Sequence, residues 1–261
     1  IFYLRRWFRT IPLYLVALAF FTVITNSYNL DFIKYVFFIQ KIIPEFVQKD
    51  YFMVAWSLSI EEIFYLVFPL YLISLSRFNL SKITVFFIIF FIILKVVSFE
   101  NFSANFLRTG SILRLDAIAL GFLVALHHDK FLKYKNSIFL IFTLSGLTIF
   151  NLNLIPLGDN LQMLIFIFLS EIFSVFILLF FINLNSFLKN PYIIKLCNVV
   201  ASQTYSVYLF HLIVMHLFLL INSTYINNIF SYLICLFLLS SIVYKYLELP
   251  ILKRRPSYEI N

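Results

Sequence analysis

Long apolar runs separated by short charged stretches set the pattern of this chain. Runs of about 20 mostly apolar residues, the length a spanning helix needs, lie at 11–30, 52–76, 82–99, 109–127, 136–155, 161–184, 201–221 and 227–247. Inside lipid each backbone amide must be satisfied within its own segment, so such runs are helices unless a barrel closes. Barrel strands alternate apolar and polar residues over about ten positions, and these runs do not alternate. The expected fold class is all-α, a polytopic transmembrane helical bundle of about eight spanning helices. The segment 31–50 carries Asp31, Lys34, Lys41, Glu45, Lys49 and Asp50. It is too charged to span and reads as an external loop or interfacial helix.

Composition sharpens this reading. The 261 residues are 62% hydrophobic and 12% charged, with a mean hydropathy of +0.97. A soluble domain is about a quarter charged; this chain lacks the polar residues to cover a water-facing surface. With no Pro/Gly/Ser-rich linker or charge run to divide it, residues 1–261 read as one membrane domain. The net charge of +8 is spread singly and in short clusters between apolar runs, which is how membrane-flanking anchors are arranged. The implied partner is the lipid bilayer, not nucleic acid.

Placing the N-terminus inside puts Arg5, Arg6, Arg9, Arg77, Lys82, Lys130, Lys133, Lys135, Lys189, Lys195, Lys245, Lys253, Arg254 and Arg255 on the cytoplasmic side. Only Lys34, Lys41, Lys49 and Arg108 fall outside. Both termini are therefore expected in the cytoplasm. Cys197 and Cys235 have no metal-ligand spacing and read as small buried hydrophobes; no metal site is expected. The four glycines leave little room for the broken half-helices of many transporters.

Several charges nonetheless fall inside apolar runs, where each costs roughly 2.5–3.5 kcal/mol to insert and marks a functional candidate. These are Glu61, Glu62, Arg114, Asp116, Glu171 and His211. Counted along their helices, Glu61, Arg114, Asp116, Glu171 and His211 share a layer at or just outside the midplane, so they are expected to converge on an interior cavity. Ser57, Glu61 and Tyr65 repeat at i, i+4, i+8 as one polar stripe. Tyr205, Tyr208 and His211 follow at i, i+3, i+6. Plainer readings stand beside these: Arg114 and Asp116 as a structural buried pair, His211 as a packing residue, and Glu171 as the weakest candidate. Lys95 is expected to snorkel to the outer interface, and His127 and His128 to serve a helix end or lipid headgroups.

Five motifs, in order, resemble the membrane-bound acyltransferase 3 family, bacterial O-acyltransferases of cell-surface glycans. They are the basic stretch Arg5-Arg6-Trp7-Phe8-Arg9-Thr10-Ile11-Pro12-Leu13-Tyr14, the segment Trp56-Ser57-Leu58-Ser59-Ile60-Glu61-Glu62-Ile63-Phe64-Tyr65, Arg114-Leu115-Asp116 with Gly121, Tyr205-Ser206-Val207-Tyr208-Leu209-Phe210-His211, and Glu248-Leu249-Pro250. In the second of these the resemblance places the family's acid on Glu61 rather than Glu62. The family has ten helices, and its first carries an Arg and a His taken as the catalytic base. Against that pattern the sequence is expected to lack two helices and that His, as a partial chain would.

The resemblance implies transfer of an acyl group, most simply acetyl from cytoplasmic acetyl-CoA, to a hydroxyl of a cell-surface or lipid-linked glycan. The implied setting is the bacterial cytoplasmic membrane, with acyl-CoA as donor substrate and no tightly bound cofactor. It places catalytic roles on Glu61, Arg114, Asp116 and His211, with Asp116 orienting Arg114 and His211 a second base or a tunnel wall. Substrate or CoA contacts fall to Arg5, Arg6, Arg9, Trp56, Ser57, Tyr65, Tyr205 and Tyr208, the arginines joined by Lys253, Arg254 and Arg255. Those cations also fit plain membrane anchoring. The same polar layer would suit a transporter or flippase of an anionic or glycan-lipid substrate, or a truncated inactive acyltransferase. Oligomeric state is not readable.

Overall fold

The structure is a computed structural model that describes residues 1–47, 50–152, 155–184, 190–221 and 229–257. Lys49 and Lys189, counted above on opposite sides of the membrane, lie outside the described residues. Among the described residues the fold is all-helical, without a strand. The long helices are α1 (Phe2–Thr25), α3 (Ala55–Ser74), α4 (Leu80–Ser98), α9 (Asp159–Leu184), α10 (Pro191–Ile221) and α11 (Ile229–Val243). A π turn (Tyr244–Glu248) and α12 (Leu249–Lys253) continue α11. Shorter helices are α2 (Asp31–Val36), α5 (Ala104–Thr109), α6 (Leu115–Leu126), α7 (His128–Leu132) and α8 (Lys135–Asn151).

Among the described residues six helices are long and apolar enough to cross a membrane, the last running through Ile229–Lys253. The other two expected spans fold as shorter helices: α6 has 12 residues and α8 has 17. At about 1.5 Å per residue they extend about 18 and 25 Å, against a hydrocarbon core of about 30 Å. The run 109–127 is broken because α5 ends at Gly110, which turns the chain into a 3₁₀ turn (Ile112–Arg114) before α6 begins. A Cβ on Gly110 would lie 2.8 Å from the Phe106 carbonyl oxygen, so the turn needs glycine there.

Helix starts also differ from the apolar runs. Arg5, Arg6 and Arg9 lie on α1 itself, and Lys195 lies on α10. Apolar content marks only the lipid-facing middle of a helix, whereas the backbone pattern runs on into polar flanks. α10 starts where Pro191 supplies a fixed φ at the first position and Asn190 Oδ1 accepts the Tyr192 amide at 2.9 Å. Among its described residues the charged segment 31–50 forms only the six-residue α2 before turning.

The chain divides into two compact units. The first comprises Ile1–Val36, Lys49–Val54 and Asn190–Asn261; the second comprises Phe37–Gln48 and Ala55–Lys189.

In the first unit α1 packs on α10 and α12, and α10 on α11. Leu13, Tyr14, Ala17, Leu18 and Phe21 form the buried stripe of α1. Phe52 packs against Tyr14 and Phe21 with ring centroids 6.0 and 5.4 Å apart. The Tyr14 hydroxyl donates to the Tyr35 carbonyl at 2.9 Å, and the Tyr35 hydroxyl donates to Asp50 at 2.6 Å. Burial, together with the Asp50 carboxylate, holds the Tyr35 phenol well above its usual pKa. α11 is interrupted for a physical reason: Pro250 has no N–H and its ring would strike the carbonyl four residues back. The backbone widens into the π turn just before it, with the Leu249 amide reaching the Tyr244 carbonyl.

In the second unit Ile60, Phe64 and Phe68 of α3, Phe87 and Phe91 of α4, and Leu115 and Ala119 of α6 share one core. Phe64 stacks on Phe68 at 4.6 Å. α8 lies along α9, where Phe142 stacks on Phe173 at 5.0 Å. The loop before α3 is fixed by Gln40, which donates to Ser59 Oγ at 2.6 Å, and by the Lys41 carbonyl, which accepts the Ser111 amide at 2.9 Å.

Cys197 and Cys235 are exposed and unbridged, against the expectation that they are buried. Cys235 sits among exposed Leu233, Ile234, Phe237 and Leu238 on α11. In a bilayer such a surface meets lipid, so an apolar position does not imply an interior one.

Candidate functional site

The second unit holds a buried cluster of four charges. Lys95 of α4 has 0% exposure and Asp116 of α6 has 1%. Lys95 Nζ stands 2.5 Å from Asp116 Oδ2 and 3.1 Å from Glu171 Oε1 of α9. Arg114 Nε stands 3.5 Å from the same Glu171 oxygen. Two cations thus face two carboxylates. That balance is what makes such burial tolerable, because each ion loses several kcal/mol of hydration on leaving water.

Lys95 therefore does not snorkel to the interface. Its stem enters the helix bundle, where its ammonium also lies 4.9 Å from the Phe168 ring. Glu171, the weakest sequence candidate, is the carboxylate shared by both cations. Nor does Asp116 pair with Arg114: its ion partner is Lys95, and Glu171 is the partner of Arg114.

Local folding explains the placement. Arg114 closes the 3₁₀ turn, and Asp116 falls in the first turn of α6, not near a helix midpoint, because the break at Gly110 delays the helix. A carboxylate in a first turn is favoured by the helix dipole. Arg114 Nη1 donates to the Arg108 carbonyl at 3.4 Å. Among the described residues its buried Nε has no hydrogen-bond partner and makes only the long ion-pair contact. The guanidinium is held from two sides with donor capacity left over.

On α3 the predicted polar stripe is real. The Tyr65 hydroxyl donates to Glu61 Oε1 at 3.0 Å, and Ser57 lies one turn before Glu61. Trp56 packs against the shared core, with the Arg108 guanidinium 5.9 Å from its ring centroid. α3 packs directly on α6 and the 3₁₀ turn that carries Arg114.

The first unit carries the remaining candidates. His211 Nδ1 is 2.6 Å from the Tyr208 carbonyl. A carbonyl only accepts, so Nδ1 carries the proton and Nε2 presents a lone pair when the ring is neutral. Tyr205 donates to the Thr10 carbonyl at 2.6 Å, and Tyr208 to the Val54 carbonyl at 2.7 Å. Both phenols tie helices to neighbouring backbone.

Ser206 donates to buried Glu248 at 2.5 Å, and Arg9 acts electrostatically on that carboxylate. Arg5 Nη1 donates to the Pro256 carbonyl, which joins the basic start of α1 to the segment after α12. Arg6, like Arg5, is engaged within the fold.

Sequence reasoning assigned no role to Glu248 and the wrong surroundings to Lys95. For Lys95 the sequence held only a charge count, two intramembrane carboxylates in Asp116 and Glu171 against Arg114, which does not say which cation supplies the rest. Glu248 is announced by a carboxylate two residues before a proline in an apolar helix. His127 closes α6 by pairing with Ser81 Oγ at 2.9 Å, and exposed His128 pairs with Asp129 at 3.0 Å. Among the described residues no group of three metal-ligating side chains converges.

Comparison with known proteins matches residues 1–245 to the acyltransferase 3 family, described as an acyltransferase domain. No curated protein matches significantly, and no solved structure does. A family match over this much of the chain, with an all-helical fold and six membrane-length apolar helices among the described residues, decides the assignment. The chain belongs to the membrane acyltransferase 3 family and is a multi-pass membrane protein.

Proposed function

We propose that this protein transfers an acyl group, acetyl being the simplest, from cytoplasmic acyl-CoA to a hydroxyl of a cell-surface carbohydrate at a bacterial cytoplasmic membrane. The family match carries the reading; the charged cluster supplies chemistry that suits it. Acyl transfer builds negative charge on the carbonyl oxygen, and pre-positioned donors in a water-poor site stabilise that charge strongly. Arg114 has the spare N–H donors and the fixed geometry for this role. Glu171 holds it directly, and Lys95, itself paired with Asp116, fixes Glu171; these three are positioning residues.

The acceptor hydroxyl must lose a proton. Glu61 serves as a proton relay, with Tyr65 fixing its carboxylate. His211, with Nε2 presented as a lone pair, serves as a base in the first unit. Arg5, Arg6 and Arg9 on α1, with Lys253, Arg254 and Arg255, form a basic surface suited to CoA phosphates. An even number of spans returns both termini to one side, and the excess of cations makes that side cytoplasmic.

The test is surface-glycan mass spectrometry from a deletion strain complemented with the complete gene product. Wild type restores the acyl mass increment, whereas Glu61→Gln and Arg114→Ala do not, although both insert in the membrane at wild-type levels. Full acylation by both variants overturns the site assignment. No increment with wild type overturns the reaction.

A further inference from the structure

A cleft of about 550 Å³ lies in the second unit, where α5 meets the start of α9 and the end of α8. Its lining includes Asn105, Arg108, Asp159, Gln162, Met163 and Phe166. This is one guanidinium, one carboxylate and two carboxamides beside an apolar wall, in the size range of small-molecule sites. The charges sum to zero. A CoA phosphate calls for a surplus of cations, and lipid tails call for no polar groups at all. A sugar calls for what is here: planar side chains that donate and accept to hydroxyls, next to an aromatic face for the C–H surface of a ring.

The polar groups are held in place. Arg108 Nη2 is 3.4 Å from Asn105 Oδ1, its guanidinium lies over Trp56, and Gln162 Nε2 donates to the Leu152 carbonyl at 3.1 Å.

Position supports the same occupant. Within this unit the pair Ser81–His127 binds the start of α4 to the end of α6. Arg77, Lys82, Lys130 and Lys133 cluster in sequence around those helix ends. The cleft is at the other ends of α4, α8 and α9, away from the cations that mark the cytoplasmic side. It also adjoins the charged cluster: Arg108 supplies the carbonyl that holds Arg114, and α9 carries both Gln162 and Glu171.

We infer that this cleft binds an uncharged sugar unit of the acceptor glycan and presents it from the outer face toward Arg114. The inference rests on the acyltransferase reading for the sugar's fate, but not for its binding.

The experiment uses the complete protein in nanodiscs and fluorescently labelled neutral oligosaccharides released from the surface glycan. Binding is measured first without acyl-CoA. Wild type binds, and Asn105→Ala and Gln162→Ala each bind about tenfold more weakly, as expected for one lost hydrogen bond to a well-oriented partner. With acyl-CoA present, the same variants raise the acceptor KM by a similar factor, with kcat at saturating acceptor changed less than twofold and the KM for acyl-CoA unchanged. Undiminished saccharide binding in both variants overturns the proposal, as does an effect confined to acyl-CoA. If wild type binds saccharide through these residues but transfers no acyl group, the cleft stands and the acyltransferase reading falls. If it transfers and the variants behave as wild type, the cleft falls alone.

Discussion

Replacing Lys95 with methionine removes one charge and keeps the length of the side chain. Its ammonium is 2.5 Å from Asp116 and 3.1 Å from Glu171, with no exposure to solvent. After Lys95→Met, Arg114 still faces Glu171, so the loss falls on Asp116, a carboxylate left in the interior without its counterion. Breaking a buried pair from one side costs about 3–5 kcal/mol. At about 2–4 °C per kcal/mol for a chain of this size, the melting temperature in nanodiscs should fall by about 6–20 °C. Lys95→Met combined with Asp116→Asn leaves one cation and one carboxylate. It should recover at least half of that fall, giving a coupling of about 2 kcal/mol in the double-mutant cycle. The reasoning fails if Lys95→Met melts within about 2 °C of wild type, or if the two substitutions simply add.

Further outcomes follow from other parts of the fold. Gly110→Ala forces a Cβ against the Phe106 carbonyl; it should cost about 1–3 kcal/mol and reduce acylation more than melting temperature, because the turn it distorts carries Arg114. Ser206→Ala removes the donor to buried Glu248, lowering stability by about 1–3 kcal/mol, whereas Ser206→Thr, which keeps a hydroxyl, should lose less in the same melt. In a cysteine-free background, single cysteines placed at 155–160 should react with an impermeant maleimide in intact cells. Those at 129–134 should react only after permeabilisation; the reverse pattern refutes the proposed orientation.

Fold class was legible because lipid leaves the backbone few choices, and runs such as 82–99 show the consequence directly. The helix ends were not. Hydropathy follows side chains, while α1 and α10 extend over Arg5 and Lys195, whose long side chains let helix continue beside apolar surface. The break at Gly110 was hidden by the apolar residues on both sides of it. Among site residues, the Ser57–Glu61–Tyr65 stripe was readable from spacing, because i, i+4 neighbours meet on one helix. Lys95 was not, since a lone lysine in a last helical turn fits snorkelling equally well. Only the position of α9, which brings Glu171 to it across 76 residues of sequence, shows that it points inward. The exposure of Cys235 is a related lesson: lipid reverses the link between apolar character and burial.

The central claim is that the protein moves an acyl group from CoA to a carbohydrate hydroxyl with Arg114 at the reacting carbonyl. Proteoliposomes holding the complete protein, given radiolabelled acetyl-CoA on the cytoplasmic face and the surface oligosaccharide on the other, measure it directly. The account predicts alkali-labile label on the sugar with wild type, and a loss of at least about a hundredfold with Arg114→Ala, the size expected for one oxyanion donor. Movement of unacylated sugar across the membrane, or label transfer undiminished in Arg114→Ala, would contradict it.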